Sequence, residues 1–433
     1  MCLGWLPQGG PLPNGGGGRQ AGGVTPEDVA LLRSAAAADA LRAATEAYAD
    51  DAEPDLFGLT ERLRAEGHDP VLVALALTQG RLRRRAAVRL GPRGGRLLWT
   101  QETLEQATRP EVAAHRATRL AGFARVADLC CGAGADALAL ADAGPQVLAV
   151  DRDPTVAALA AANAAAEGHS GRITVRTADV TTLRLAGLGC EAAYVDPARR
   201  AGAHRRQQPE TWSPPWSWIA DLAREVPATV AKVAPGIPHS LIPPDAEGEW
   251  VSVRGELKEA AIWHGPLATA RRRATLLPAG TVLTDADLPP SVAVGAVEGW
   301  LVEPDDAIIR AGLVGAVAQR LAGHLLDRHI AYVTTETEPD ARFGAVFEVL
   351  EEIPFALKRM RAVLRARGVG DVVVKKRGVG VAPEELRRRL ALGGDGPIAT
   401  LVLTRTEGGP LALLVARYDP PRSGDPAALG TPR

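Results

Sequence analysis

Apolar positions recur at helical spacing from Thr25 to about Ala121 and then give way to short apolar runs, and this change of period divides the chain. Thr25, followed by Pro26 and Glu27, reads as an N-cap with proline at the first helical position. Leu31, Ala35, Ala38 and Leu41 continue the stripe, and further helices are predicted around Leu56–Glu66 and Pro70–Val88. The run Arg81-Leu82-Arg83-Arg84-Arg85 reads first as a solvated helix face. From Val126 to about Leu277 the runs Val126–Cys130, Gln146–Val150, Ile173–Arg176, Ala192–Val195 and Thr229–Val233 are separated by helix-length or loop-rich segments. That alternation predicts an α/β domain with a doubly wound, Rossmann-like parallel sheet. Trp250–Val253, Leu257–Trp263 and Arg271–Leu277 leave little room for helices between them, so the sheet is expected to close with antiparallel strands.

Beyond a Pro-containing connector near Asp287–Pro290 the final region reads strand (Val346–Ile353), helix (Phe355–Arg367), strand (Asp371–Lys375), helix (Pro383–Leu392), strand (Thr400–Thr404), strand (Leu411–Ala416). This order predicts a small α+β domain of the ferredoxin-like sort. The expected division is a disordered leader over 1–24, a helical region over 25–121, the doubly wound domain over 122–285, connector plus α+β domain over 286–418, and a disordered tail over 419–433. The leader is Gly- and Pro-rich and lacks the charged segment and apolar run of a signal peptide.

Composition narrows the function classes. With 46% apolar and 23% charged residues the 433-residue chain has the balance of a soluble globular protein, and its length asks for two or three domains. A formal net charge of −1 means that any basic surface is local. Cys2, Cys130, Cys131 and Cys190 show no paired ligand spacing, which argues against a disulfide framework or a metal site and for a reducing compartment. No apolar run is long enough to span a bilayer, and a cytoplasmic placement is expected.

The candidate chemistry begins with Val126-Ala-Asp-Leu-Cys-Cys-Gly-Ala-Gly-Ala-Asp136, where a strand ends in a Gly-rich turn and opens into a helix. Gly132 and Gly134 would let the backbone pass close to a ligand, and Asp128 lies at the strand's C-terminal end, where ligands of such sheets bind. The next strand ends at Asp151, 17 positions after Gly134 and close to the interval expected of a carboxylate that binds ribose hydroxyls. Asp179 ends the third strand, where a carboxylate can accept from an adenine amino group. A nicotinamide-dependent oxidoreductase could share the first two features. However, the third Gly of the dinucleotide fingerprint is missing and Asp136 stands near its place, where it would repel a pyrophosphate but could bind an ammonium. S-adenosylmethionine carries an amino-acid head and a sulfonium without phosphate, and fits better.

The fourth strand runs into Tyr194-Val-Asp196-Pro197-Ala-Arg199-Arg200. There Asp196 is placed to hold an acceptor group for direct in-line transfer, a step in which orientation and desolvation can supply most of the acceleration. The Pro-rich segment after it, with Trp212, Trp216 and Trp218, could lie over the acceptor or simply pack.

These motifs resemble the class I S-adenosylmethionine-dependent methyltransferases: Asp128-Leu-Cys-Cys-Gly-Ala-Gly their first motif, Val150-Asp151 their second, Asp179 the adenine-side acid, and Asp196-Pro197-Ala-Arg199 the substrate-side fourth motif. More narrowly, Leu104-Glu105-Gln106-Ala107-Thr108 and Trp300-Leu-Val-Glu303-Pro304-Asp305-Asp306-Ala307-Ile308 resemble the bacterial methyltransferases with a C-terminal THUMP-like domain. The resemblance implies a cofactor site that also takes in Cys130 and Arg152, and a catalytic set of Asp196, Pro197 and Arg199. It implies rRNA or tRNA as the substrate, with a protein or small-molecule acceptor, or a non-catalytic RNA-binding role, as alternatives. Ala198 and Arg199 replace the second Pro and the aromatic residue that many nucleic-acid N-methyltransferases carry, so methylation of a base amino group is not secured.

The last region adds a local basic signal. Lys358, Arg361 and Arg365 share one helix face, and Lys375, Lys376 and Arg377 end the next strand. Arg387, Arg388 and Arg389 lie on the second helix. Such a patch suits phosphate contacts with RNA, or is a solvated Arg-rich surface.

Overall fold

The structure is a computed structural model that describes residues 24–49, 54–198, 200–201, 204–205 and 208–418. The helical region comprises α1 (Pro26–Leu32), α2 (Ala37–Ala47), α3 (Leu56–Ala65), α4 (Pro70–Gly94), α5 (Gln101–Gln106) and α6 (Pro110–Leu120). Thr25 caps α1 in a reciprocal box with Asp28, and Asp69 caps α4 ahead of Pro70. Positive φ at Gly91, with Pro92 behind it, kinks α4 before its end. The arginines around Arg81–Arg85 are not simply solvated. Arg83 donates to the carbonyls of Arg96 and Leu97 at 3.0 and 3.1 Å, and Arg84 to those of Tyr48 and Ala49 at 2.6 and 2.9 Å.

The doubly wound part runs β1 (Arg125–Leu129), α7 (Ala135–Asp142), β2 (Gln146–Asp151), α8 (Pro154–Ala166), β3 (Ile173–Thr177) and β4 (Ala192–Val195). It continues with the short hairpin β5 (Arg200–Ala201) and β6 (His204–Arg205), α9 (Trp216–Glu225), β7 (Ala228–Val233), β8 (Glu247–Val253), β9 (Glu256–Trp263), β10 (Arg272–Leu277) and β11 (Thr281–Thr284). Nine strands form one sheet in the order β11-β10-β8-β9-β7-β4-β1-β2-β3. Strands β3, β2, β1, β4 and β7 are parallel, and the chain reverses its winding between β1 and β4. Alternate residues serve opposite faces: Val126, Val147 and Tyr194 join the core under the N-terminal helices, α7 and α8, while Ala127, Leu129 and Val195 join the one under α9. β9 and β11 are antiparallel to their neighbours, but β10 runs parallel to β8, which corrects the expected antiparallel closure. After β9 the chain crosses the start of β8 before β10 begins. Glu247 steadies the crossing by accepting from the backbone N–H groups of Thr269 and Ala270, both at 2.9 Å.

The remaining chain forms β12 (Trp300–Pro304), α10 (Asp306–Ala311), α11 (Val314–Arg320), β13 (His324–Leu325), β14 (Val333–Thr335), β15 (Gly344–Pro354), α12 (Leu357–Ala366), β16 (Asp371–Lys376), α13 (Pro383–Leu390), β17 (Ile398–Thr406) and β18 (Gly409–Tyr418). The α+β order is present, and the segment read as a connector adds three strands to it, giving a mixed sheet ordered β13-β14-β12-β15-β18-β17-β16. α12 and α13 cover one face of this sheet. Residues of α10, α11 and β12 share a core with Val233, Trp250, Ile262 and Ala274 of the larger sheet, so the two sheets pack as neighbours.

Helix α6 docks on the larger sheet through buried charge. His115 and Arg119 meet Glu247 and Glu249, two alternate residues on one face of β8. Glu249 accepts from His115 Nε2 and Trp263 Nε1 at 2.8 Å, from Arg119 at 3.0 Å and from Thr275 Oγ1 at 2.6 Å. Burial pushes this carboxyl up, but the hydrogen bond and charge of His115 and the charge of Arg119 prevail and hold it at about 2. A depressed folded value means that the carboxylate stabilises the fold above its ordinary 4.5 and loses that contribution as pH falls to about 2. Glu249→Gln is expected to cost about 3–5 kcal/mol in urea unfolding at pH 7, because it breaks a buried pair. It should also flatten the acid side of the stability profile; profiles of wild type and variant that run parallel below pH 5 would contradict this.

Candidate functional site

The crevice lies where the winding reverses, at the C-terminal ends of β1, β2 and β4. After β1 the chain turns through Cys130, Gly132 and Gly134 at φ of 62°, 57° and 85°. A Cβ at Gly132 would meet nothing within 4 Å, so this glycine faces open space, whereas one at Gly134 would stand 3.4 Å from Cα and Cβ of Ala160 on α8. Gly134 thus lies against α8 at ordinary contact distance, and its positive φ is what calls for glycine. Burial raises the Cys130 thiol far above its usual range, with the charges of Asp151, Asp196 and Asp128 adding to it, so it is no thiolate nucleophile.

Four acids follow the strand ends. Asp128 is completely buried, and neither of its carboxylate oxygens has a hydrogen-bond partner. Burial lifts its carboxyl well above the ordinary value, Asp136, Asp196 and Asp151 add to the lift, and Arg116 opposes it. Asp151 accepts from the backbone N–H of Gly132 at 3.1 Å and of Asp153 at 3.0 Å, which ties β2 to the glycine turn. Asp179 is exposed, and its Oδ1 accepts from the Thr181 N–H and hydroxyl at 2.9 and 2.7 Å. Asp196 follows β4 and pairs with Lys232 Nζ at 2.7 Å. Arg152 donates to Ser213 Oγ at 3.1 Å, and Ser213 exchanges backbone hydrogen bonds with Ala198 at 2.8 and 3.1 Å. The loop carrying Ser213 is thereby fastened beside Asp196 and the buried Pro197. Arg199 lies outside the described residues.

Asp136 belongs elsewhere. Its carboxylate accepts from Thr108 Oγ1 at 2.7 Å and from Tyr194 OH at 3.5 Å, and it is ion-paired with Arg116. Arg116 also pairs with Glu259 of β9, lies 4.0 Å from the ring centroid of Tyr194, and is only 2% exposed. An acid so engaged is not presented to a ligand's ammonium; Asp128 is the one without a partner. Lys232, Thr108 and Arg116 are functional neighbours that the sequence does not single out. The available signal is a lone lysine in the strand Ala228-Thr-Val-Ala-Lys-Val233. Lys232 Nζ also reaches Thr108 Oγ1 at 3.2 Å. Burial pushes its ammonium down, but Asp196, Glu259 and Asp136 together hold it above its ordinary value. Trp212 and Trp216 pack edge to face in the core, with centroids 6.2 Å apart.

The expected basic patch of the last region is largely committed to the fold. Arg361 donates to the carbonyls of Arg389 and Leu390, and Arg365 to that of Ala391, which closes the end of α13. Lys375 and Arg377 share Glu303 at 2.6 and 3.1 Å, and Arg387 pairs with Asp371. Lys358, Lys376 and Arg388 are exposed, and Arg389, also exposed, lies 3.6 Å from Glu385.

Comparison with known proteins agrees with this geometry. A methyltransferase domain model matches residues 126–227, a THUMP domain-like model matches 344–417, and a domain of unknown function matches 25–86. The described residues superpose on the crystal structure of a candidate methyltransferase of Porphyromonas gingivalis with a TM-score of 0.70, at 22% identity over 89% of this chain and 98% of that one. A fold with a glycine turn and strand-end acids around a crevice is that of a methyltransferase. The chain belongs to the S-adenosylmethionine-dependent methyltransferases: it is 38% identical over 366 residues, 82% of this chain and 98% of the other, to an uncharacterized S-adenosylmethionine-dependent methyltransferase of two Mycobacterium tuberculosis strains. The residues present suit that cofactor, because the unpartnered Asp128 offers an acceptor for an ammonium and Gly132 leaves room in front of the turn. Among the described residues no helix is long and apolar enough to cross a membrane.

The two glycines can be tested in solution. Both hold positive φ, so an alanine at either costs about 1–2 kcal/mol of backbone strain. Neither added methyl group meets a clash, that of Gly134→Ala standing at contact distance from Ala160 and that of Gly132→Ala entering open space, so both should lower the denaturant midpoint by a similar amount. A variant at either position as stable as wild type would contradict the placement of the turn.

Proposed function

We propose that this chain methylates RNA, with Asp196 orienting the acceptor atom and Lys232 holding Asp196 in place. The observation that carries the reading is the Asp196–Lys232 pair at the ends of β4 and β7, beside the crevice. RNA as the acceptor class is supported by the THUMP domain-like match over 344–417. When bound, S-adenosylmethionine supplies a methyl carbon activated by a positively charged sulfur. Asp128 receives the ammonium, Asp151 the ribose hydroxyls and Asp179 the adenine amino group. Arg152 and Pro197 shape the loop beside them, and Cys130 belongs to the turn. Lys232, itself held protonated, fixes the Asp196 carboxylate through their ion pair, so that Asp196 accepts a hydrogen bond from the acceptor and takes up any proton it gives off. The acceptor lone pair is thereby aimed, and positioning provides most of the rate. Among the residues of the last region, Lys358, Arg359, Lys376 and Arg388 are exposed and could serve phosphate contacts.

The test is transfer of label from radiolabelled S-adenosylmethionine into fractions of cells lacking the gene. Label is expected in RNA, and Asp196→Asn should reduce it about 100-fold or more while leaving cofactor affinity within a few-fold. Label confined to protein or metabolites would overturn RNA as the acceptor and keep the enzyme.

Asp128 makes a separate expectation. Its carboxyl is raised in the free protein, and an ammonium favours the ionised form, so binding releases a proton and affinity rises with pH across the raised range. Calorimetry of cofactor binding in buffers of different ionisation heat should show that release, and Asp128→Asn should abolish it. Binding heats that are the same in every buffer from pH 5 to 8 would contradict the assignment.

A further inference from the structure

Several arginines of the N-terminal helices donate to neutral groups. Arg81, Arg85 and Arg89 fall at i, i+4 and i+8 on α4 and share one helix face. Arg85 donates to the neutral side chain of Gln101. Arg89 donates to the carbonyls of Glu105 and Ala107 at 2.8 and 3.3 Å, and its Nε is buried with no partner. Arg109 donates to the Arg89 carbonyl, and Arg81 is exposed. Arg85 and Arg109 both bear on Arg89 as like charges, and Glu105 is the acid that opposes them. In the last region Lys375, Arg377 and Arg387 are neutralised by Glu303 and Asp371, while Arg361 and Arg365 are spent on the carbonyls at the end of α13. Guanidinium groups that outnumber the one acid among them carry an excess of like charge, and a polyanion laid across them relieves the repulsion.

We propose that α4, α5 and the start of α6 hold the phosphodiester backbone of the RNA substrate through Arg81, Arg85, Arg89 and Arg109. This rests on the reading that RNA is the acceptor. A cleft of ≈ 320 Å³ between α4 and α5 is lined by Arg84, Arg85, Val88, Arg89, Leu104 and Glu105, three guanidinium groups to one carboxylate. Val88 is 83% exposed there, an apolar contact for a ribose or base between the charges. The strip leads to the acceptor: Thr108, the neighbour of Arg109, is hydrogen-bonded to Lys232, which carries Asp196. A backbone lying on α4 and passing Arg109 therefore arrives beside the residue that orients the methylated atom. The run that reads in the sequence as a solvated face gains a partner, and the helices acquire a role in substrate binding.

The experiment is the salt dependence of the full chain's affinity for a fluorescein-labelled single-stranded RNA, with cofactor affinity as the control for folding. For a single strand the slope of log K against log salt changes by about 0.7 for each phosphate that the protein ceases to neutralise. The combined variant Arg81→Gln, Arg85→Gln, Arg109→Gln should flatten the slope by about 2 and weaken binding, with cofactor affinity within about two-fold of wild type. If the combined variant no longer binds the cofactor, Arg81→Gln alone should still flatten the slope by about 0.7. An unchanged slope in these variants, with a flattened one in Lys358→Gln, Lys376→Gln, would overturn the proposal and return the surface to the last region. A wild-type chain that binds cofactor but shows no salt-dependent affinity for RNA would sink both this surface and RNA as the acceptor.

Discussion

Arg116 is the group on which the arrangement of the molecule depends. It sits on a helix of the N-terminal region, is buried, and neutralises one acid at the start of α7 and another in the antiparallel strand β9. A buried arginine is tolerated only with such partners, and each partner is tolerable only because of the arginine. Its plane also lies over Tyr194 of β4, so four elements distant in sequence meet at one guanidinium. Thr108 extends the chain of contacts to Lys232 and Asp196. The orientation of the acceptor-side pair is thus set by a contact network that begins outside the crevice.

Around that anchor the crevice separates its tasks by charge. The acids of the crevice, Asp128, Asp151, Asp179 and Asp196, come from consecutive parallel strands and need no long-range assembly beyond the sheet itself. Asp151 and Asp179 are held by backbone N–H groups, Asp196 by Lys232, and Asp128 by no hydrogen bond among the described residues. The one ion pair these acids make among the described residues, with Lys232, leaves the crevice with an excess of carboxylates, which suits a ligand bearing positive charge.

This separation also explains what can be read in the sequence. The parallel strands announce themselves as apolar runs between helices, and the glycine turn and strand-end acids follow from position along those runs. Lys232 stays hidden because its partner Asp196 is 36 residues away and its strand reads as plain core. The same limit applies to Arg116, whose partners lie 20 and 143 residues away. Asp136 is visible as an acid but not in its role, since nothing local shows that Thr108, Arg116 and Tyr194 converge on it. In the last region the basic residues are legible as charges, while their neutralisation by Glu303, 72 residues from Lys375, is not. The segment over 286–343 has short strands and helices whose apolar faces make sense only against a neighbouring sheet, so it reads as a connector.

The seam between the two sheets has a mechanical side. Asp305 caps α10 at its Ala307 N–H and also takes the hydroxyl of Ser252, while Arg272 reaches the carbonyls of Ala311 and Gly312 at 3.1 and 3.4 Å. A continuous apolar core lies beneath these bonds, so sliding one sheet along the other would break them and bring Trp250, Ile262 and Val302 into water. The seam is a weld and not a joint, in which each sheet serves as the other's cover against solvent.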